Sequence, residues 1–245
     1  MKGVILAGGS GTRLHPLTRI TNKHLLPIYD RPMVTYAIEA LVQAGVTELM
    51  LVTGGTHAGE FFRLLGNGHD YGIDRLFYAY QDRAGGIAEA LGLSERFVDR
   101  DRVVVMLADN VVENSLRASV ENFERQSGGA RILLSDVEDP KHLRHLGVPE
   151  LAEGCVVRIV EKPQDPPSSY AVTGIYFYDG TVWDVIPTLE PSGRGELEIT
   201  DVNNAYVDRG TMEYDVLEGF WGDAGESIEA YYAVNDFVRA NGANR

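Results

Sequence analysis

Short apolar runs of strand length alternate along this chain with segments whose apolar residues recur at helical spacing. The runs predict strands at residues 4–7, 49–53, 76–80, 103–107, 131–137, 156–160, 170–178 and 212–217. The spaced segments predict helices at residues 33–44, 59–65, 89–97, 198–207 and 228–240. We therefore expect an α/β fold with a mainly parallel, doubly wound sheet, an added antiparallel portion and helices on its faces.

The run at residues 103–107, Val-Val-Val-Met-Leu, has no polar interruption. Such a run is typical of a central strand that is buried on both faces. It leads directly into Asp109 and Asn110. Because open α/β sheets bind ligands at the carboxyl ends of their strands, we expect Asp109 to lie at a ligand-binding edge.

A second carboxylate, Asp223, comes shortly before the predicted helix at 228–240. On its own it is interpreted as an ordinary N-terminal cap of that helix. Together with Asp109 it would suit Mg²⁺, which takes a few carboxylates along with phosphate oxygens. The pattern alone does not bring the two side chains together, so both interpretations stay open.

The first predicted strand breaks into a glycine-rich turn that contains Gly8, Gly9 and Gly11, with Arg13 and Lys23 downstream. Glycines let backbone N–H groups wrap around phosphate oxygens because no Cβ stands in the way. Two nearby cations then hold the charge of a polyphosphate. This combination predicts a nucleoside triphosphate as ligand, and the alternative is a tight turn beside unrelated surface cations.

Two commoner glycine-rich loops fit this turn poorly. A P-loop closes with Gly-Lys-Ser/Thr, whereas Gly11 is followed by Thr12 and Arg13. A dinucleotide fingerprint needs a third glycine, which is missing, and an acidic residue at the end of a second strand. Asp30 has the right spacing for that residue but lies in a predicted turn.

Composition narrows the class of partner. The formal net charge of −14 argues against nucleic acid, which demands a basic face. A few cations and a carboxylate-bound divalent metal reverse the field locally. No apolar run reaches the roughly 20 residues of a membrane span. The single Cys155 is expected to be a buried thiol in a strand, and one cysteine suits a reducing cytoplasm.

The predicted strand at 156–160 closes with Glu161 and Lys162. Such a pair is commonly a solvated edge. At a strand end that faces a cleft, however, the carboxylate suits sugar hydroxyls and the ammonium suits a sugar phosphate. The sequence is compatible with both interpretations.

Taken together, six motifs resemble those of the sugar-phosphate nucleotidylyltransferases, and most closely the short form of the glucose-1-phosphate thymidylyltransferases. The motifs are Leu6-Ala-Gly-Gly-Ser-Gly-Thr-Arg-Leu14, Lys23-His-Leu-Leu-Pro-Ile28, Ala108-Asp-Asn110, Glu161-Lys-Pro163, Tyr170-Ala-Val-Thr-Gly-Ile-Tyr-Phe-Tyr178 and Arg194-Gly-Glu-Leu-Glu-Ile-Thr-Asp201. The resemblance spans nearly the whole chain. It implies a single Rossmann-like domain over 1–245 with the nucleotide-diphospho-sugar transferase fold. Residues 1–110 would mainly bind the nucleotide and residues 111–245 the sugar phosphate. The short form lacks a C-terminal helical extension, and the effector site which that extension helps to build is not expected here.

The resemblance also implies roles for single residues. The implied nucleotide-binding set is Leu6, Gly8, Gly9, Gly11, Thr12, Arg13, Gln81 and Gly86. The implied sugar-phosphate set is Asn110, Gly147, Glu161, Lys162, Val172 and Arg194. The implied catalytic set is Arg13, Lys23, Lys162, Asp109 and Asp223, with Mg²⁺ held by the two aspartates. The amide of Gln81 suits the donor and acceptor edge of thymine or uracil.

The implied reaction is transfer of a nucleotidyl group from dTTP to glucose 1-phosphate, which gives dTDP-glucose and pyrophosphate. The second ionisation of a phosphate monoester lies near pH ~6, so the acceptor is already a nucleophile and needs no general base. In-line alignment and charge neutralisation by cations are then the main requirements. Similar enzymes form dimers or tetramers, so the resemblance implies a homo-oligomer in the cytoplasm, without nucleic-acid or membrane partners.

Three positions depart from the family pattern. Ala108 replaces a glycine, His145-Leu146 replaces a single aromatic residue, and Glu226 replaces a threonine after Asp223. The first two lie on the sugar side, so a different sugar 1-phosphate is one alternative. For Glu226 the plainer interpretation is that it suits a helix N-terminus. UTP or another triphosphate as donor is a further alternative, and a non-catalytic sugar-nucleotide sensor is the last.

Overall fold

A computed structural model describes residues 1–137 and 139–245. The strands are β1 (Lys2–Ala7), β2 (Pro27–Ile28), β3 (Arg31–Pro32), β4 (Glu48–Gly54), β5 (Arg75–Gln81), β6 (Val103–Leu107), β7 (Asn110–Val112), β8 (Ala130–Asp136), β9 (Gly147–Ala152), β10 (Cys155–Glu161), β11 (Tyr170–Tyr178), β12 (Met212–Val216) and β13 (Trp221–Asp223). The α-helices are α1 (Val34–Gln43), α2 (Ala58–Leu65), α3 (Ile87–Gly92), α4 (Glu95–Val98), α5 (Arg117–Arg125), α6 (Pro140–Leu143), α7 (Val182–Val185), α8 (Ile199–Asp208) and α9 (Ile228–Asn241).

Seven strands form one sheet in the order β12-β8-β11-β6-β1-β4-β5. The strands β6, β1, β4 and β5 run parallel to one another, and β12 runs parallel to β8. Between these groups, β11 is antiparallel to both β6 and β8. The expectation of a mixed, mainly parallel sheet is therefore confirmed, and the antiparallel portion is a single strand inside the sheet.

Helices cover both faces of this sheet, because alternate strand residues point to opposite sides. Ile5 of β1 packs with residues of α1, α2 and α5 on one face. Val4 and Leu6 pack with residues of α3, α7 and α8 on the other face. A third cluster brings α9 against Leu14 and Ile28, which lie just beyond the glycine turn. This third contact holds the C-terminal helix beside the start of the chain.

The predicted helix at 89–97 is interrupted. It forms α3 and α4, and the break lies between Gly92 and Glu95. The buried Ser94 hydroxyl donates to the Leu91 carbonyl at 2.7 Å, which offers the backbone an alternative to continued helix.

The predicted strand at 156–160 lies outside the main sheet. As β10 it pairs antiparallel with β9, a strand that the sequence pattern did not indicate. Glu153 and Gly154 connect them, and both have positive φ (52° and 78°), as in a two-residue hairpin turn. The sequence pattern did not indicate β9 because this strand contains Pro149, and proline is rare inside strands.

The expectation of a buried Cys155 thiol is wrong. Cys155 is the first residue of β10 and is exposed, whereas its neighbour Val156 is buried. The reason is that β9 and β10 form a separate two-stranded sheet with a solvent-facing side.

Across residues 1–137 and 139–245, every helix is too short or too polar to cross a membrane.

Candidate active site

A cleft of about 320 Å³ opens at the carboxyl ends of β1, β5 and β6, where the strand pattern places a ligand edge. The β9–β10 hairpin and the segment before α8 form its opposite wall. The residues predicted from the sequence that line this cleft are Leu6, Gly8, Gly9, Arg13, Lys23, Gln81, Gly86, Asp109, Asn110, Gly147, Glu161, Lys162, Val172, Arg194 and Asp223. Residues from the beginning, middle and end of the chain therefore share one cavity.

Two predicted residues, Gly11 and Thr12, lie outside this lining. Gly11 has φ of +64°, and its carbonyl accepts a hydrogen bond from the Thr18 hydroxyl at 2.7 Å. A Cβ at position 11 would lie 3.3 Å from Cβ of Lys23. This part of the turn supports the stem of Lys23 and does not contribute to the cavity wall.

A pair of very short strands brings Asp109 and Asp223 to the same place. In the antiparallel pairing of β7 with β13, Asp223 lies opposite Asn110. The Ala224 amide also donates to the Asp109 carbonyl at 2.9 Å. The two carboxylates, distant in sequence, thus lie at the same end of this strand pair, Asp109 just before β7 and Asp223 at the end of β13, and line one cleft with Gly8 and Gly9.

Lys23 is the nearest cation to these carboxylates. Its Nζ lies 2.5 Å from Oδ2 of Asp109, and the side chains of Lys23 and Asp109 are 11% and 7% exposed. Burial acts to raise the pKa of Asp109, but the Lys23 charge and the nearby His24 outweigh it and hold that pKa well below its usual range. His24 Nε2 lies 3.8 Å from the same oxygen, and burial lowers the pKa of His24. Asp109 is therefore ionised and His24 neutral near pH 7.

Asp223 has the opposite balance. Burial, followed by repulsion from the Asp109 charge, raises the pKa of Asp223 to about 7. Its Oδ1 accepts a hydrogen bond from the Gly225 amide at 2.8 Å. A Cβ at Gly225 would lie 2.4 Å from Oδ2 of Asp109, so only glycine lets this turn approach the carboxylates so closely.

Two buried carboxylates that repel each other fit a divalent cation, which would relieve the repulsion. Within the described part of the chain, Asp109 and Asp223 are not joined by a third histidine, cysteine or carboxylate in a metal-binding cluster. Phosphate and water oxygens would supply the other ligands. This donor set suits Mg²⁺ better than a transition metal.

Asn110 lines the cleft, but its side chain is held by the protein. Its Oδ1 accepts from the Trp221 indole at 2.7 Å and from the Gly174 amide at 2.9 Å. Its Nδ2 donates to Oδ1 of Asp109 at 3.2 Å. The side chain therefore orients Asp109, while its contact with a sugar phosphate stays a prediction.

On the predicted nucleotide side, the amide of Gln81 is fixed through its nitrogen. Nε2 donates to Oε1 of Glu89 at 3.1 Å and to the Gly86 carbonyl at 3.3 Å. Its oxygen lies near Gly8, where a Cβ would be 3.1 Å away. Gln81 thus presents an acceptor beside the glycine turn. The anchoring residue Glu89 was missed by sequence reasoning, because it reads there as an ordinary helix residue.

Gly86 packs against the segment that precedes α8. With φ of +100°, its Cα is so close to Leu197 that a Cβ would lie 2.3 Å from the Leu197 carbonyl oxygen. The Leu197 amide donates to the Gly85 carbonyl at 2.8 Å. These contacts join the predicted base-binding loop to the segment that carries Arg194, whose guanidinium pairs with Glu198 at 2.9 Å.

On the predicted sugar side, Gly147 and Glu161 are opposite residues of the β9–β10 hairpin. Oε2 of Glu161 accepts from the Thr200 hydroxyl at 2.7 Å, and its Oε1 lies 3.3 Å from Nζ of Lys162. Lys162 has φ of +48°, an uncommon backbone conformation for a residue other than glycine. The carboxylate and ammonium therefore both face the cleft at the strand end.

Several lining residues were not singled out from the sequence. They include His24, Leu107, Tyr176, Thr200, Asn203 and Trp221. His24, Tyr176 and Thr200 lie inside the motifs that carry the family resemblance, which was the only available signal. Burial, together with the charges of Glu161 and the two aspartates, raises the pKa of Tyr176, so its hydroxyl stays protonated.

The three departures from the family pattern have different outcomes. Ala108 was expected to lie on the sugar side. It is instead fully buried in the core and is not part of the cleft lining. His145 and Leu146 do line the cleft. Helix α9 is capped by the Ser227 hydroxyl, which accepts from the Ala230 amide at 3.0 Å. Neither Asp223 nor Glu226 is the cap, and Glu226 instead contacts His142.

A sequence profile described as nucleotidyl transferase matches residues 2–241. A glucose-1-phosphate thymidylyltransferase of Mycolicibacterium smegmatis is 43% identical over 98% of this chain and 82% of its own length. A protein of the same name from Neisseria meningitidis is 41% identical, with 98% and 83% covered.

A crystal structure from Bacillus anthracis, described as a glucose-1-phosphate thymidylyltransferase in complex with a sucrose, superposes with a TM-score of 0.92. It shares 47% identity and covers 98% of this chain and 95% of its own. A UDP-glucose pyrophosphorylase complexed with UDP-glucose, at 24% identity and a TM-score of 0.83 over 98% of both chains, supports the fold alone. On the strength of the profile and these relatives, the chain belongs to the nucleotidyl transferase family.

Proposed function

We propose that this protein transfers a thymidylyl group from dTTP to glucose 1-phosphate and releases pyrophosphate. The observation that carries the proposal is the single cleft that Asp109, Asp223 and Lys23 line together with Glu161 and Lys162, with Lys23 bonded to Asp109. The relatives that bear this activity in their names cover nearly the whole chain. A nucleotide and a sugar phosphate would meet between the two groups of charges.

On the donor side, Gly8 and Gly9 with Arg13 would bind the triphosphate, because glycine backbones approach phosphates closely. The Gln81 oxygen, held beside Gly8, would accept the ring N–H of thymine. Uracil carries the same N–H, so this contact by itself does not separate dTTP from UTP. Leu6 and Gly86 would form the rest of the base-binding wall. Gly11 and Thr12, which lie outside the cleft lining, would support the glycine turn.

On the acceptor side, Glu161 would accept hydrogen bonds from sugar hydroxyls, with Thr200 fixing one of its oxygens. Lys162 would bind the sugar phosphate. Gly147 leaves room there, since its nearest neighbours, Glu161 and Val172, would be 3.6 and 3.7 Å from a Cβ. Asn110 and Arg194 are proposed as further acceptor-side residues.

The transfer itself balances without an external acid or base. An oxygen of the sugar phosphate attacks the α-phosphorus, the bond from that phosphorus to the bridging oxygen breaks, and pyrophosphate departs with the electron pair. Because the acceptor phosphate is a dianion near neutral pH, the residues need not remove a proton. Lys23, Lys162 and Arg13 offset the repulsion between the two anions and align them in line.

Asp109 and Asp223 would hold Mg²⁺, which supplies charge neutralisation to the α-phosphate and the leaving pyrophosphate. In the structure, Lys23 already neutralises Asp109. The lysine is thus placed to serve both the carboxylate and an arriving phosphate.

We further propose one domain over residues 1–245, with 1–110 mainly for the nucleotide and 111–245 mainly for the sugar phosphate. A cytoplasmic location and a homodimer or homotetramer belong to the same proposal. The named relatives support an enzyme of small-molecule substrates.

A different sugar 1-phosphate is a second candidate acceptor, since His145 and Leu146 line the acceptor side where the family pattern has one aromatic residue. Pyrophosphate release is measured over a grid of dTTP and UTP against glucose, galactose and amino-sugar 1-phosphates. The proposal predicts the fastest release with dTTP and glucose 1-phosphate. Preference for another sugar or for UTP redefines the substrate, and no release with any pair indicates a sensor.

A further inference from the structure

The side chains of His142 and Glu226 are in hydrogen-bond contact and join two segments that are 84 residues apart in sequence. Nε2 of His142, in α6, contacts Oε2 of Glu226, which lies three residues after Asp223. The Glu226 side chain is 13% exposed and that of His142 is 35% exposed. Neither residue lines the cleft. No role proposed above uses this pair.

One end of the pair acts on the Asp223 turn. Glu226 directly follows Gly225, whose amide donates to Oδ1 of Asp223 at 2.8 Å. Gly225 is also packed so closely on Asp109 that a Cβ there would overlap its carboxylate. A displacement of Glu226 would therefore move the turn that brings the two carboxylates together.

The other end acts on the acceptor wall. The His145 amide donates to the His142 carbonyl at 3.0 Å, and His145 and Leu146 both line the cleft. The Leu146 carbonyl accepts from the Lys162 amide at 3.0 Å. A short path thus connects His142 to the backbone of the residue proposed to bind the acceptor phosphate.

The pair also matters for charge. The hydrogen bond to Glu226 is the largest effect on the pKa of His142 and raises it above its ordinary value, with Asp223 and Asp139 acting in the same direction. When His142 is protonated, its imidazolium offsets the charge of Glu226.

We propose that His142 and Glu226 are a positioning pair for nucleotidyl transfer, which holds the aspartate turn and the acceptor wall at one mutual spacing. The pair would set the affinity for the divalent metal and for the sugar phosphate, and would leave the binding of dTTP unchanged. This inference rests on the proposed function for its kinetic part. If the contact only stabilised the fold, its loss would change the stability of the protein and leave the affinities for the metal and the sugar phosphate unchanged.

The test is a double-mutant cycle with His142→Gln, Glu226→Gln and the double variant, measured on the full chain. We expect each single variant to raise the KM for glucose 1-phosphate and the Kd for Mn²⁺ alone, followed by electron paramagnetic resonance, by about five-fold. That factor is the upper end for a partly exposed pair. The KM for dTTP and kcat should change less than about two-fold, and the double variant should match the singles. His142→Lys, which keeps a cation opposite Glu226, should recover most of both affinities.

A matched control is His57→Gln, because His57 and Glu60 form a pair of the same residue types, 3.2 Å apart, outside the cleft lining. It should leave both affinities unchanged. If the His142 and Glu226 variants melt earlier but keep the wild-type Mn²⁺ affinity and KM, the positioning role is wrong.

The Mn²⁺ measurement separates a failure of the proposed function from a failure of the positioning role, since metal binding can be measured without turnover. An inactive wild-type protein whose Mn²⁺ affinity still falls in the variants overturns the proposed function and leaves the positioning pair standing. Should the glutamine variants fail to fold, Glu226→Asp is measured instead, because aspartate keeps the charge but moves it away from His142 by one methylene. An unchanged Mn²⁺ affinity in that variant overturns the proposal.

Discussion

Nζ of Lys23 lies 2.5 Å from Oδ2 of Asp109, in a cleft that also contains Asp223. A buried carboxylate, a second carboxylate whose pKa is raised to about 7 and a largely buried ammonium thus lie in the same part of the structure. Lys23 was predicted to be one of two cations that hold a polyphosphate, and its bond to Asp109 makes it the link between the proposed metal site and the proposed phosphate site. This arrangement has consequences for both stability and catalysis.

Replacing Lys23 with alanine should destabilise the protein, because it leaves two buried carboxylates without a counter-charge. Breaking a buried pair by removing one partner costs about 3–5 kcal/mol. We expect a loss of that order in the free energy of unfolding, measured by urea denaturation. Adding Asp223→Asn to Lys23→Ala should recover part of it, since one of the repelling charges is removed. Equal stability of Lys23→Ala and wild type would contradict the buried-pair description.

Asp109→Asn should leave the fold intact and remove most turnover. Asparagine keeps the shape of the side chain but loses the charge that would bind the metal. We expect kcat to fall by about 10³-fold, which corresponds to the several kcal/mol that a metal supplies to transition-state charge. Circular dichroism serves as the control for folding. Turnover near the wild-type rate would count against the assignment of Asp109 as a metal ligand.

Gln81→Ala should weaken the donor nucleotide and spare the acceptor. It removes the amide oxygen that Glu89 and the Gly86 carbonyl hold beside Gly8. One lost hydrogen bond in a partly buried site is worth about 1 kcal/mol, so the KM for dTTP should rise by about five- to ten-fold. The KM for glucose 1-phosphate should stay within about two-fold. A rise in the acceptor KM alone would place Gln81 on the wrong side of the cleft.

The contact between Gly86 and Leu197 predicts a backbone effect. Gly86→Ala combines a positive φ with a Cβ 2.3 Å from the Leu197 carbonyl oxygen, so we expect a loss of stability of about 1–3 kcal/mol. Gly66→Ala is the matched control, since Gly66 also has a positive φ but no atom within 4 Å of its Cβ. Equal losses in the two variants would show that the close approach to Leu197 has no effect of its own.

The pair of His142 and Glu226 predicts a pH dependence of stability. The pKa of His142 is raised in the folded state, so its stabilising contribution is complete below the unfolded value near 6.5 and is lost as pH rises through the folded pKa. In Glu226→Gln, the His142 ring proton should titrate closer to its ordinary value, as measured by NMR. A titration that does not change in this variant would contradict the contact.

Much of the sheet could be predicted from the sequence because its strands are local apolar runs. Residues 103–107 and 4–7 correspond to β6 and β1, and the ends of these strands place Gly8 and Asp109 at the ligand edge. The prediction of one helix at 89–97 was less accurate, because the helix is interrupted between Gly92 and Glu95, where Ser94 lies. Local periodicity therefore predicts where the strands lie, and it predicts only part of where a helix is interrupted.

Contacts between distant segments could not be predicted in this way. The strands β7 and β13 have three residues each, too few for any periodicity, yet their pairing brings Asp109 and Asp223 together. The turn between β9 and β10 lacks an Asn-Gly or Asp-Gly signal, so the hairpin and the exposure of Cys155 were both missed. The bond from Glu226 to His142 depends on the same long-range packing.

The central claim is that the cleft joins dTTP to glucose 1-phosphate with the aid of its two aspartates. The most direct measurement follows a reaction of the purified protein, both substrates and Mg²⁺ by ³¹P NMR. We expect equal amounts of pyrophosphate and a new sugar-linked diphosphate, formed about 10³-fold more slowly by Asp109→Asn and also much more slowly by Asp223→Asn. Absence of the diphosphate with the wild-type protein, or its formation at the wild-type rate by both variants, would overturn the proposed function.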